Sequence, residues 1–308
     1  MIVLSRPRWP HLLTLVSMTS LLASVVSSTL AEDKPTKYEL RYKFKSGEVV
    51  RTQVVHQAAI RTTIDGTSQT AGTVSESIKV WKIESVSPEG EITFVHSVDH
   101  VKMRNQVTGR EDSHYDSQKD STPPTGFEEV SKRVGIPLTV VTIDNRGTIL
   151  KREERAAPGP GQASQLTLPL PKDPVAVGES WTFPNDMRIR LRSGEIKNIQ
   201  SRQKFTLEAV DGDIARIKVE TQILTPVRDP EIEAQLIENE TNGTIRFDLA
   251  AGRLVGQQID LDRSVVGYPN AKSSMHYRTR FTEVLLKGEP AQETQHTADR
   301  KNALRPKK

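Results

Sequence analysis

Histidines and aspartates are the residues of this chain whose types and spacing could support metal or acid–base chemistry. His96, His100 and His114 form a cluster along the sequence, with Asp112 and Asp116 beside the last of them. The residues around His96 and His100 alternate as in a β-strand, where a rise of about 3.3 Å per residue would place the two rings about 13 Å apart. A shared zinc ion needs nitrogen ligands about 2 Å from the metal. We therefore predict no metal site and interpret these histidines as solvated strand and loop residues.

The acidic residues do not indicate a specific metal or catalytic site either. Asp112, Asp116 and Asp120 do not match a calcium loop, which places acids at alternate positions before a glycine. A pair of carboxylates about 5–10 Å apart could serve glycoside hydrolysis, but 39 acidic residues offer too many pairs to choose from. A hydrolase built on scattered carboxylates and histidines therefore stays open as the alternative function.

Other catalytic and cofactor motifs are missing from the sequence. There is no cysteine, which excludes a thiolate nucleophile, a disulfide framework and an iron–sulfur centre. Ser180 follows a glycine at 178 but lacks the second glycine of a nucleophile elbow. Phosphate-binding glycine loops, dinucleotide fingerprints and a His-Glu-x-x-His helix do not occur either. We predict no catalytic residue, no cofactor-binding residue and no cofactor.

The positive charge is concentrated at the two ends of the chain. The formal net charge is +4, yet Arg6 and Arg8 contribute +2 and residues 287–308, with six bases and three acids, contribute +3, so residues 32–286 sum to −1. The best basic cluster shares the face of an amphipathic strand and its continuation, which we interpret as a solvated face: Arg188, Arg190, Arg192, Lys197, Arg202 and Lys204. We predict no nucleic-acid partner.

The N-terminus has the order of a secretory signal peptide. A short basic segment precedes an apolar run over 12–26, and small residues lead to Ala31, after which we expect cleavage. An uncleaved anchor is the alternative, although the run is shorter than the roughly 20 apolar residues of a spanning helix. No later segment reaches that length, so we predict an exported protein, periplasmic or secreted, without a transmembrane helix in its mature chain. The absence of cysteine favours a bacterial setting.

Alternating apolar and polar residues predict a mainly β (β-dominated α+β) fold. Tyr38 to Phe44 alternate as a first strand, and Asp65-Gly66 between two alternating runs predicts a tight hairpin. One or two short helices are expected, and a strand is the alternative for the second segment, which also alternates weakly. Thr125 would cap the first, over 127–134, and Asp229, followed by a proline, would cap the second, over 231–238.

Landmarks recur in the same order in the two halves of the chain. Gly47-Glu48 corresponds to Gly178-Glu179, Trp81–Val86 to Phe205–Val210, and Ile143–Gly147 to Phe247–Gly252. We predict two related antiparallel meanders that form either separate sandwiches or one curved half-barrel. The expected organisation is a signal peptide at 1–31, β-rich repeats at 36–155 and 171–286, a Pro/Gly linker at 156–170, and a disordered basic tail at 287–308.

The signal peptide and two segments, Gly-Glu-Ser-Trp-Thr at 178–182 and Gly-Thr-Ile-Arg-Phe-Asp-Leu-Ala-Ala-Gly-Arg-Leu at 243–254, resemble an uncharacterised family of exported β-rich bacterial proteins of planctomycete type. The resemblance implies a β-rich exported protein and carries no catalytic residue. At the level of fold, a curved half-barrel is similar to periplasmic carriers of lipid or acyl chains. We therefore expect a non-catalytic binding or scaffold protein of the cell envelope, whose partner is an apolar small molecule or another envelope protein. A carrier would need an apolar cavity of roughly 300 Å³ or more.

Overall fold

The computed structural model describes residues 35–157 and 166–287 of the chain. The predicted signal peptide lies outside these residues, as do most of the predicted linker and nearly all of the predicted tail. Antiparallel strands dominate the described part, which confirms the mainly β fold class. No helix in the two described ranges is long and apolar enough to cross a membrane.

The elements are numbered in chain order and fall into two halves of the chain. The first half contains β1 (Lys37–Tyr38), β2 (Val49–Ile64), β3 (Thr67–Val86), β4 (Ile92–Val107), β5 (Ser113–Asp116), α1 (Glu128–Ser131), β6 (Pro137–Ile143) and β7 (Ile149–Glu154). The second half contains β8 (Val175–Ala176), β9 (Ser180–Pro184), β10 (Met187–Arg190), β11 (Ile196–Ile199), β12 (Ser201–Asp211), β13 (Ile214–Ile223), α2 (Pro230–Ile237), β14 (Asn242–Asp248), β15 (Arg253–Val266) and β16 (Ser274–Leu285).

One open sheet of 12 strands unites the two halves. Its order is β7-β6-β4-β3-β2-β16-β15-β14-β13-β12-β9, and the short β5 pairs with β4. Each half contributes a meander, and the two meanders join where β2 pairs with β16. Because β7 and β9 end the order without pairing to each other, the sheet is not closed into a barrel. The strands β1 and β8, and β10 and β11, form separate two-stranded sheets.

A shared core requires this sheet to curve. Val141 on β6 and Leu207 on β12 belong to one cluster of buried side chains, although seven strands separate β6 from β12 in the sheet. Strands lie about 4.8 Å apart, so a flat sheet would separate the two residues by roughly 38 Å. The face that carries the core is therefore concave and the opposite face convex. The largest fully buried side chains of the core include Phe94, Phe205, Phe247, Leu40, Ile83 and Ile92.

An extended segment, residues 39–44, lies between the two flanks of the sheet. The sequence predicts a strand here, but regular pairing ends with β1. The Tyr42 N–H donates to the Asn145 carbonyl at 2.7 Å, whereas the next N–H, that of Lys43, donates to the Gly252 carbonyl at 2.9 Å. These carbonyls lie in the β6–β7 and β14–β15 turns on opposite flanks, so no single strand can pair with the segment. The alternation nevertheless identifies its buried side chains correctly: Leu40, Tyr42 and Phe44.

Helix α2 begins where the sequence predicts. The Asp229 carboxylate accepts a hydrogen bond from the Glu231 N–H at 2.9 Å, and Pro230 occupies the first turn. Two of its apolar side chains, Ile232 and Leu236, pack on the β10–β11 hairpin. The other buried side chains face strands β15 and β16 of the concave face, so the helix connects the hairpin to the large sheet.

Helix α1 is shorter than predicted and is not capped by Thr125. The residue at its N-cap is Phe127, which makes no side-chain capping bond, and the helix is a single turn. Burial explains the difference, because the Phe127 ring is 1% exposed and stacks on Tyr115 at 5.7 Å, which fixes the start of the turn. The end is fixed where Val134 bridges to β4.

Replacing Asp229 with alanine tests the cap. We expect Asp229→Ala to lower the free energy of unfolding by about 1 kcal/mol, because the Glu231 N–H loses its partner. Asp229→Asn keeps the acceptor oxygen and should cost only a few tenths of that value. Urea unfolding of the three proteins measures the differences, and equal loss in both variants would contradict the capping role.

Two tight turns repeat the same hydrogen bonds in the two halves. In Lys45–Glu48 the glutamate carboxylate accepts from the lysine N–H at 3.1 Å, and in Ala176–Glu179 it accepts from the alanine N–H at 2.8 Å. The glycine N–H of the first turn donates to the Ile83 carbonyl and that of the second donates to the Leu207 carbonyl. Both glycines have positive φ, 82° and 90°, a region where other residues are strained. The relation between the halves stays a prediction, and these matching turns favour it.

Candidate functional site

A buried ion pair lies at the middle of the concave face. The Lys79 Nζ on β3 contacts the Glu283 Oε1 on β16, and the two side chains are 18% and 3% exposed. A charge is rarely buried without partners, because the interior solvates it poorly. Two further groups bond this carboxylate: the Thr52 hydroxyl donates to Oε1 at 2.8 Å, and the Gln257 amide donates to Oε2 at 2.7 Å. We call these four residues the polar layer.

The polar layer holds Glu283 in its ionised form. Burial by itself raises the pKa of this carboxyl. Attraction to Lys79 and hydrogen bonds from Lys79, Gln257 and Thr52 together outweigh burial, so the pKa lies below its ordinary value. The ammonium of Lys79 also lies 5.1 Å from the ring centroid of Trp81, a favourable position over an aromatic face. The layer therefore carries two opposite charges that neutralise each other inside the protein.

Three buried polar atoms beside the polar layer lack a hydrogen-bond partner among the described residues. They are the Trp81 Nε1 on β3, the His96 Nδ1 on β4 and the Thr139 Oγ1 on β6. Trp81 pairs in register with His96, and His96 pairs with Thr139, so the three side chains point to the same face of adjacent strands. Each residue is less than a tenth exposed. Buried polar groups without partners are uncommon in proteins, because each one that stays unsatisfied costs free energy. We call these residues the unpartnered trio.

His96 is neutral at physiological pH. Burial first, and then the positive charge of Lys79, lower its pKa to about 4. A neutral imidazole carries one N–H donor and one acceptor nitrogen. The trio thus offers an indole donor, an imidazole and a hydroxyl that can donate or accept.

A trough extends along β3 from the polar layer towards the β2–β3 hairpin. Its floor carries the small side chains Thr73, Ser75 and Ser77, which share the concave face with Lys79 because they alternate with it along the strand. Larger residues pair with the two serines on both sides: Val54 and His56 on β2, and Val101 and Met103 on β4. Small residues between larger ones leave a groove.

The walls of the trough are largely apolar and only partly covered. Val54 and Met103 are half-buried, as is Phe281 on β16, whereas the side chains of the main core are fully buried. Two polar residues interrupt these walls: Asn105, which pairs with Thr73, and His56, which contacts the Thr279 hydroxyl at 2.8 Å and whose pKa is lowered by burial. From Thr73 to Lys79 a strand spans roughly 20 Å. This is a surface on which an elongated apolar molecule can lie.

The predicted histidine cluster does not converge on one site. His96 faces the concave side, whereas His100 pairs with Ile78 and His114 with Arg104, positions of the convex face. His100 bonds the Asp116 carboxylate at 3.0 Å, and this bond is the main cause of the lowered pKa of that carboxyl. The sheet therefore separates the first histidine from the other two.

The aspartates of the 103–135 region bond neighbouring residues. Asp112 accepts from the Arg104 guanidinium, which lowers the pKa of its carboxyl, and Asp120 accepts from the Asp116 N–H at 2.7 Å. No group of three histidine or acidic residues able to hold a metal ion occurs within residues 35–157 and 166–287. These carboxylates stabilise loops and strands.

The basic cluster forms the exposed side of the β10–β11 hairpin and its surroundings. Arg188 and Arg190 are exposed, while Ile189 between them is buried against α2. Arg192 contacts Glu231 at 3.5 Å, and Lys204 contacts Glu220 at 3.6 Å. This agrees with the predicted solvated face of an amphipathic strand.

Two shallow concavities adjoin α2. One, of about 380 Å³, is lined by charged and polar groups that include Arg192, Asp229 and Glu231. The other, of about 270 Å³, is lined in part by Arg188 and Glu238. Neither is the enclosed apolar cavity expected of a carrier. The trough is an open, largely apolar surface on the concave face.

The polar layer is not apparent from the sequence. A signal existed at Lys79, which alternates in phase with Trp81 and Ile83 and so places a charge on a core-facing side. Glu283 likewise alternates in phase with Phe281 and Leu285 on β16. The pairing of β2 with β16, which brings the two charges together, cannot be inferred from local alternation.

One family model matches part of the chain. A family model described as a family of unknown function, DUF6263, matches residues 161–254, which confirms over those residues the resemblance to an uncharacterised family. No curated protein matches the chain.

Two solved structures share a distant likeness. One, described as lipid-protein interactions in lipovitellin, is 12% identical with a TM-score of 0.45 and covers 81% of this chain, which spans only 26% of that chain. The other, DynF from the dynemicin biosynthesis pathway of Micromonospora chersina, is 8% identical with a TM-score of 0.21 and covers 82% of this chain and 89% of that one. At TM-scores below 0.5 neither likeness establishes a shared fold.

Proposed function

We propose that this protein is an exported, non-catalytic binding module that holds an elongated apolar ligand in the trough on its concave face. The observation that carries the proposal is the half-buried apolar wall of the trough, formed by Val54, Met103 and Phe281 above a floor of small residues. Apolar surface left partly open to water gains free energy when a ligand covers it, about 25 cal/mol per Å². Contiguous apolar surface of this kind is typical of binding sites.

The trough is open, which changes the type of carrier from the one expected. An enclosed cavity would surround its ligand, whereas this surface contacts one side of it. The ligand is therefore an extended molecule that lies along β3, and its length is limited to roughly 20 Å by the polar layer at one end. Because apolar contact, more than hydrogen bonding, would hold the ligand, the trough can accept several apolar chains of similar length.

The free edges of the sheet favour a ligand over an added protein strand. The edge strand β7 carries a run of charged residues, 151–154, and the edge strand β9 ends at Pro184. Charged side chains and proline on an edge oppose pairing with another strand. A binding role is therefore better supported at the concave face than at either edge.

Lipid extraction tests the proposal directly. We expect organic extracts of the protein purified from its native compartment to contain an apolar chain compound in near-stoichiometric amount, identified by mass spectrometry. Extracts of a β-rich control protein purified from the same compartment should lack it. Extracts without any enriched apolar compound, together with no binding of the neutral probe N-phenyl-1-naphthylamine to the purified protein, would refute the proposed function.

Blocking the trough should remove binding. Ser77→Phe places a large ring on the floor between Val54 and Val101, and we expect affinity for the probe to fall at least tenfold because the ring occupies the ligand's space. The matched control is Gln57→Phe on the convex face, where the same ring is exposed and should leave affinity unchanged. Equal affinity of the Ser77 variant and the unmodified protein, both folded by circular dichroism, would place the ligand elsewhere.

A further inference from the structure

We infer that His56 accepts a hydrogen bond from the ligand, so that the ligand is an apolar chain bearing a neutral donor, a hydroxyl or an amide N–H group. This inference rests on the proposed function, because it names the chemistry of one wall of the trough. His56 lies on β2, where it pairs with Ser75 of the trough floor on one side and with Phe281 of β16 on the other. The ring centroids of His56 and Phe281 are 6.2 Å apart, so the imidazole forms part of a largely apolar wall.

The hydrogen bonds of His56 determine its tautomer. The Thr279 hydroxyl donates to the Gln57 carbonyl at 3.0 Å, because a carbonyl oxygen can only accept. A hydroxyl has a single proton, so the contact of this hydroxyl with the His56 Nε2 at 2.8 Å requires that nitrogen to donate. Burial lowers the pKa of His56, which keeps the ring neutral at pH 8. In a neutral ring with a protonated Nε2, the Nδ1 atom is an acceptor.

The acceptor atom Nδ1 is open to the trough. It makes no hydrogen bond with the described residues, and unlike the atoms of the unpartnered trio it is not enclosed. The side chain of His56 is half-buried and shares the concave face with Val54 and Ala58, which lie two residues away on either side along β2. A ligand in the trough therefore replaces water beside Nδ1. A ligand group that cannot reproduce the hydrogen bond of the displaced water loses affinity.

A neutral donor fits this position best. A hydrocarbon or an ether has no proton to give to Nδ1, and a carboxylate would direct lone pairs at an acceptor. An ammonium group donates, but Glu283, which pairs with Val54 in the next row, is already neutralised by Lys79, so the cation would lack a counter-charge. A hydroxyl or an amide donates to Nδ1, and the hydroxyl of Ser75, the cross-strand neighbour of His56, can donate to its oxygen.

Two matched pairs of compounds with a twelve-carbon chain test the inference by displacing N-phenyl-1-naphthylamine at pH 8. In each pair one member donates and the other only accepts: 1-dodecanol with dodecyl methyl ether, and N-methyldodecanamide with N,N-dimethyldodecanamide. The ratio of displacing concentrations within a pair is compared between the unmodified protein and His56→Phe, which keeps a ring but has no acceptor. We expect the preference for the donor to be about fivefold greater in the unmodified protein, the effect of one hydrogen bond. The pair with the larger difference identifies whether the hydroxyl or the amide is preferred.

His114→Phe is the matched control, because His114 is exposed on β5, and it should leave both preferences unchanged. His56→Leu provides a second variant without an acceptor if the phenylalanine substitution fails to fold. The nitrogen-15 resonances of His56 give a readout that needs no substitution. We expect Nδ1 to be unprotonated at pH 8 and its resonance to move when 1-dodecanol binds, but not when the ether binds.

Equal preferences in the unmodified protein and in the His56 variants would overturn the inference alone and assign Nδ1 to ordered water. A protonated Nδ1 in the unmodified protein would overturn it as well, because that atom could not then accept. Failure of all four compounds to displace the probe, or of the probe to bind, would refute the proposed function together with the inference.

Discussion

Replacement of Glu283 by alanine should lower the free energy of unfolding by about 3–5 kcal/mol, because it leaves the Lys79 ammonium buried without its partner. The same change removes the acceptor of the Thr52 and Gln257 hydrogen bonds, so Lys79, Thr52 and Gln257 all lose the carboxylate that they contact. Urea unfolding at neutral pH measures the loss. An effect below 1 kcal/mol would show that water reaches the Lys79 ammonium and that the polar layer is not a closed part of the interior.

The double variant Lys79→Met/Glu283→Leu is the matched control. It removes both charges and keeps apolar volume, so we expect it to recover most of the stability lost by Glu283→Ala. The residual loss reports the hydrogen bonds of Thr52 and Gln257, which no longer have an acceptor. If the double variant were as unstable as the single one, the cost would lie in packing rather than in the unpaired charge.

Acidification should destabilise the protein through His96 before most carboxylates titrate. The folded-state pKa of about 4 lies below the ordinary value of 6.5, so the unfolded chain binds the proton first as the pH falls. The stability that neutral His96 provides is therefore complete above pH 6.5 and is lost as the pH falls towards 4. Between pH 6.5 and 5 the loss should be about 2 kcal/mol, and by pH 4 about 3 kcal/mol. Urea unfolding at each pH measures it.

His96→Gln should flatten this pH dependence, since glutamine does not titrate. His56 is also buried in part, and its lowered pKa adds a smaller loss of the same sign that this variant retains. His114→Gln, at an exposed position on β5, should leave the profile unchanged. A profile that is flat between pH 6.5 and 5 in the unmodified protein would contradict the buried, neutral state of His96.

Local patterns predict the strands and turns of this fold well. Asp65-Gly66 predicts the β2–β3 hairpin, and both residues have positive φ there, 46° and 82°. Ile92 and Phe94 alternate on one face of β4 and are buried as the pattern predicts, whereas the interpretation of His96 as solvated is wrong, because it lies in phase with them and is buried too. These features depend on residues close in sequence, so short-range periodicity and turn chemistry contain the necessary information.

Long-range pairing is the part of the fold that the sequence does not reveal. The choice between separate sandwiches and one curved sheet depends on whether β2 pairs with β16, and no local pattern encodes that contact. The segment 39–44 shows the same limit, because its alternation is that of a strand although its hydrogen bonds go to two different flanks. Residue type predicts which side chains are buried more reliably than which strands are neighbours.

The candidate site could not be predicted from the sequence for the same reason. His96 is conspicuous in the sequence, but Trp81 and Thr139 become its neighbours only through the strand order β3-β4-β6. Glu283 and Lys79 meet only because β2 and β16 bring the two ends of the described chain together. A search for closely spaced chemical residues therefore selects His100 and His114, which the sheet places on its other face.

The pairing of β2 with β16 has a consequence for how the protein acquires its structure during synthesis. Thr52 and Glu283, which bond across this junction, are 231 residues apart in the chain. A ribosome has therefore released the first meander long before the strand that completes the sheet exists. Contacts of such long range make folding slow. Until Leu285 has emerged, β2 presents an uncovered edge and Lys79 has no counter-charge, so shortened chains should be recognised by proteases as unfinished.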